Sequence, residues 1–123
     1  MGNRVLFQVV SPDRSEFSPV VYGHWSGSDA GSVCKRLWQR MQTRPGDVQY
    51  TSARLVQELI DGDKGNLGFG IWNADAVLTE ADSHGDAGVV LVIAGLTGLT
   101  FECFGGDLVI KNGWPCHRLE KAA

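Results

Sequence analysis

No stretch of this 123-residue chain offers the ~20 consecutive apolar residues of a bilayer-spanning helix, which excludes a membrane protein of that kind. Cysteine is sparse and poorly spaced. Cys34, Cys103 and Cys116 cannot all pair and match no metal-ligand spacing, so cytosolic thiols are expected, with Cys34 and Cys103 filling core positions. The common hydrolase signatures, Gly-x-Ser-x-Gly and His-Glu-x-x-His, are missing. Gly68 and Gly70 lack the third glycine and following helix of a dinucleotide fingerprint, and close packing of a strand on a helix accounts for them more simply. No motif calls for a cofactor. Met1-Gly2-Asn3-Arg4 leads directly into a strand, which predicts no signal peptide and a cytoplasmic location.

Lysine and arginine are absent from residues 65–110, which carry Asp75, Glu80, Asp82, Asp86, Glu102 and Asp107. That block holds a charge of −6, against +1 for residues 1–64 and +2 for the last thirteen, within a net charge of −3. A nucleic-acid binder shows the reverse, a basic stripe, so direct nucleic-acid binding is not expected. An acidic face instead speeds the approach of a partner with a basic surface. Sixteen glycines, about twice the usual share, predict many tight turns. Four tryptophans in so short a chain predict that some lie on a binding surface.

The apolar pattern predicts strands over residues 4–10 and 18–25, separated by Ser11-Pro12-Asp13-Arg14. Ser26 with Asp29 predicts a capping box, after which Val33, Leu37, Trp38 and Met41 share one helical face, with Trp38 expected in the core. Arg44-Pro45-Gly46 ends that helix, and a second runs from Asp47 or Gln49 to Gly62 with the stripe Leu55, Val56, Leu59, Ile60. Strands are then expected over 67–72, 88–94, 99–104 and 108–111, the 88–94 run as the central strand. Residues 73–86 read as a long acidic loop. The expected fold is α+β: an antiparallel-dominated sheet of five or six strands, order ββααββββ, with two helices packed on one face. Residues 1–111 form the single domain, and 112–123 a loosely ordered tail.

Three short patterns occur in order: Tyr22-Gly23-His24-Trp25-Ser26-Gly27; Asp47-Val48-Gln49-Tyr50 with Arg54-Leu55-Val56; and Gly68-Phe69-Gly70-Ile71. Together they resemble a group of small, mostly uncharacterised bacteriophage and prophage proteins bearing a Tyr-x-His-Trp-x-Gly motif. The similarity spans roughly residues 5–93. It implies a phage or mobile-element setting and no particular reaction. The long 73–86 connection departs from that group.

His24 and Trp25, where a strand meets a helix, are the leading candidate binding residues, with Tyr50 and Arg54 as the nearest candidates for a second group. Trp72 is a candidate anchor, and Asp75, Glu80, Asp82 and Asp86 are candidate contacts for a basic surface. Glu80, Asp82, His84 and Asp86 match no established cation loop, so no metal is assigned. No residue is assigned a catalytic role.

Two functions remain. The first is a phage or prophage accessory protein that binds a host protein, such as an anti-CRISPR-like inhibitor occupying a basic nucleic-acid-binding surface in the host cytoplasm. The second is a small enzyme or ligand-binding domain that uses His24 on a phosphorylated or carboxylated metabolite. An exposed edge strand would also let two copies pair as a homodimer.

Overall fold

The computed structural model describes residues 3–61 and 68–118. Its elements run β1 (Val5–Val10), β2 (Val20–Gly23), α1 (Ala30–Arg40), α2 (Val48–Asp61), β3 (Phe69–Trp72), β4 (Gly88–Gly95), β5 (Gly98–Phe104), β6 (Leu108–Lys111) and β7 (Trp114–His117). The fold is α+β, with one five-stranded sheet in the order β3-β2-β1-β4-β5 and a separate β6–β7 hairpin. Only the β1–β4 pairing is parallel.

β1 occupies the centre of the sheet, and β4, expected there, lies beside it. The reason is β1's burial on both faces: Val5, Phe7 and Val9 join the helix-side core, while Leu6 and Val10 enter a second core on the opposite face. Ala30, Val33, Cys34, Leu37, Leu55 and Leu59 bring both helices onto the first face. Asp47 starts α2 by accepting a 2.8 Å hydrogen bond from the Tyr50 amide. Gly62, the expected end of that helix, and Leu67, the expected start of the next strand, lie outside the described residues.

The second face is covered by the 73–86 segment, whose Ala74, Val77 and Leu78 pack on it. Gln8, fully buried in the middle of β1, fastens this cover. Its Nε2 donates to the carbonyls of Ser18 and Ala76, and its Oε1 accepts from the Leu78 amide at 2.8 Å. The segment read as a loop is therefore a third layer.

Four local expectations are corrected. Ser26 makes no cap: its Oγ is buried without a partner, and a 3-10 turn over Gly27–Asp29 precedes α1. A capping box does form at Thr79 and Asp82, around the turn Glu80–Asp82. Residues 112–118 are no loose tail, because Asn112 and Gly113, at φ of 55° and 87°, make a two-residue turn that pairs β7 with β6. Pro115 is tolerated in β7 because a two-stranded sheet has only edge strands; residues 119–123 lie outside the described set. Trp38 is 38% exposed, its ring against the edge of Trp114 rather than in the core. A Cβ at Gly70 would meet only ordinary contacts, at 3.9 Å from Tyr22 and Trp72, so helix packing does not explain that glycine.

Candidate functional site

Alternation along β2 puts Tyr22 and His24 on the face away from the helices. The Tyr22 hydroxyl and His24 Nδ1 are hydrogen-bonded at 2.5 Å. Antiparallel pairing of β2 with β3 sets Val20 opposite Trp72, which brings the Trp72 ring to 5.6 Å from Tyr22. His84, from the covering layer, stacks on Trp72 at 5.8 Å and lies 5.6 Å from Tyr22. Trp25 meets the His24 ring edge-on at 4.4 Å. Five rings from three chain segments thus form one continuous patch. Trp25 is 54% exposed and Trp72 40%, so two large apolar surfaces stand open to solvent.

Carboxylates border this patch in two shallow depressions. Trp72, Asp75 and Asp82 line one of about 260 Å³. Arg4, His24, Trp25 and Asp86 line the other, of about 380 Å³. The carboxylates differ in availability. Asp86 accepts from the Arg4 side chain at 2.7 Å, and that bond holds its carboxyl below the usual range. Asp82 is occupied by the Thr79 amide and hydroxyl. Glu102, on β5, pairs with Arg14 at 2.8 Å. Asp75 and Glu80 have no side-chain hydrogen bond or ion pair among the described residues.

The structure therefore gathers His24, Trp25, Trp72 and Asp86 on one face, with Asp75, Glu80 and Asp82 on the covering segment beside them. Tyr50 and Arg54 are elsewhere. Tyr50 packs against the helix-side core, where Arg54 Nε donates to its hydroxyl at 2.9 Å and the Arg44 guanidinium lies 4.1 Å from its ring centre. They are a brace on α2, not a second group for His24. The amides expected beside His24 are also committed: His24 N donates to Gly68 O, Gly27 N to Asn3 O, and Asp29 N to Ser26 O. No anion cradle is left at that junction.

Tyr22 and His84 are the members that sequence reasoning overlooked. Tyr22 was signalled by its two-residue spacing from His24 on a strand. His84 had no such signal, because only the folding of the covering layer brings it to Trp72. Among the described residues no serine or cysteine is hydrogen-bonded to either histidine, and no cluster of three His, Cys, Asp or Glu side chains is placed to hold a metal ion. Exposed indoles beside free carboxylates suit cation recognition: an ammonium or guanidinium over a ring face, with a carboxylate in reach. No protein-family model, curated protein or solved structure matches the chain.

Proposed function

We propose that the protein is a non-catalytic binding module that captures a partner protein by its basic surface. The observation that carries this reading is the patch of exposed Trp25 and Trp72 beside Asp75 and Glu80, carboxylates that no cation of the described chain neutralises. Arginine or lysine side chains of the partner lie over the indoles, and the carboxylates supply the counter-charge. The resemblance to phage and prophage proteins fits a host protein as partner, with the basic nucleic-acid groove of a defence complex as the surface to occupy. An inhibitor of the anti-CRISPR kind is that reading in its most concrete form.

The structure changes which residues test it. Asp82 and Asp86 hold the fold, so reversing them confounds binding with unfolding. The discriminating variant is Asp75→Lys with Glu80→Lys. Immobilised wild-type protein is expected to retain a specific protein from a bacterial lysate, and the double variant to lose it with its circular dichroism unchanged. Trp72→Ala should weaken capture by about 2 kcal/mol, as truncation of an anchoring indole does. Equal capture by the double variant rejects the acidic face.

The Tyr22–His24 hydrogen bond beside the Arg4 depression favours a second reading, a small-ligand or catalytic site at His24. His24→Ala separates the two, because a docking module keeps its partner when that imidazole is removed and a His24-centred site loses its ligand.

A further inference from the structure

A cavity of about 440 Å³, larger than either depression of the aromatic face, lies between the start of α1 and the β6–β7 hairpin. Its polar wall consists of Ser28, Ser32, Lys35, Lys111, Asn112 and His117, with no aspartate or glutamate. The charge pattern of the rest of the molecule makes this unusual. Arg4, Arg14, Arg36, Arg40 and Arg44 each pair with a carboxylate. Arg54 bonds Tyr50 and Gln57, and Arg118 bonds the Gly106 carbonyl. Lys35 and Lys111 are the lysines among the described residues, neither has a carboxylate partner there, and both line this one cavity. The Lys35 ammonium lies 5.7 Å from the centre of the Trp114 ring, which holds it at the cavity wall. His117 Nε2, in the same wall, is shielded from solvent and hydrogen-bonded to nothing.

Two uncompensated cations in one concavity, framed by hydroxyl and amide donors, focus a positive potential and select an anion. A carboxylate would leave one ammonium unanswered. A phosphomonoester carries about −1.5 to −2 charge and three acceptor oxygens, which matches two lysines and two serine hydroxyls. The volume exceeds what a bare phosphate needs and falls within the roughly 300–1,000 Å³ of sites that hold whole small molecules. Leu108 and Pro115 supply an apolar wall for the organic part. We propose that this cavity binds a small phosphomonoester, with Lys35 and Lys111 holding the phosphate.

The test is an amide-resolved titration of the labelled full chain with inorganic phosphate and with ribose 5-phosphate, at constant ionic strength. Expected are shifts centred on Ser28, Ser32, Lys35, Lys111 and His117, tighter binding of the ester, and affinity weakened at least about tenfold in Lys35→Gln/Lys111→Gln. Because Lys35 rests on Trp114, Lys111→Gln alone, at the exposed hairpin end, must also weaken binding several-fold with an otherwise unchanged spectrum. No shifts with either probe, or shifts that persist in the double variant, overturn the site. Equal affinity for phosphate and ester overturns the ester assignment. None of these residues belongs to the aromatic face, so Asp75→Lys/Glu80→Lys should bind the ester normally whatever it does to protein capture.

Discussion

Gln8 shows how much one polar side chain can decide. In VLFQVV it interrupts an otherwise apolar run, and a glutamine at the centre of a sheet must find partners or leave buried groups unsatisfied. Its three hydrogen bonds tie the covering segment to β1, so Gln8→Leu should cost about 2–4 kcal/mol, from the two carbonyls and one amide left without it. Chemical denaturation measures the loss, and faster exchange at the Leu78 amide should accompany it. Glu58 is a second such residue, buried where α2 meets α1 and bonded to both Arg36 and Arg40. Burial alone would raise its carboxyl, but the bonds and charges of the two arginines outweigh it, and the net shift is below the ordinary 4.5. A depressed carboxyl stabilises the fold above its unfolded value, and that stability is lost as pH falls through the lower folded value. Glu58→Gln should therefore be less stable than wild type at pH 7, by about 1–2 kcal/mol given the half-exposed arginines, and should lose less on acidification below 4.5. Denaturation midpoints across that range check the sign. The Gln8 bonds could not be read from the chain, because its partners lie ten and about seventy positions away.

At the scale of elements, the crossing between the start of β4 and the end of β5 depends on facing glycines. A Cβ on Gly88, at φ of 94°, would sit 2.5 Å from the Phe104 carbonyl, and one on Gly106 would sit 2.4 Å from the Gly88 amide. Both the backbone conformation and the space demand glycine there. Gly88→Ala should destabilise the protein by at least about 2 kcal/mol, read as a lowered melting temperature, whereas Gly85→Ala, with no atom in reach, should cost only the strain of its positive φ. The strands and helices of the sheet were legible in the sequence to within a few residues, since their periods of 2 and 3.6 are carried by adjacent side chains. The β7 strand was legible too, in the Asn112-Gly113 turn dipeptide, although Pro115 masks it. The packing of residues 73–86 was not, because their few apolar side chains show no period.

Across the whole molecule, the segregation of charge along the chain is partly undone in space. Arg4 and Arg14, from the half with a positive balance, reach Asp86 and Glu102 in the negative half. The acidic surface is left to Asp75, Glu80 and Asp107, which have no side-chain partner among the described residues, and two of the three border the aromatic patch. Such exposed charges are screened over about 8 Å at physiological salt. Capture by the wild type should therefore weaken as salt rises, while Trp72 preserves a salt-insensitive remainder.

Composition and periodicity alone determined that this is an α+β chain with two amphipathic helices and alternating strands, because those properties arise between neighbours in sequence. Tertiary structure alone decided that β1 and not β4 takes the centre, that Tyr50 stands apart from His24, and that His84 stacks on Trp72. It also decided that both described lysines face one cavity free of carboxylates. Each of these depends on which surfaces the chain buries against each other, and apolar burial has no direction along the sequence.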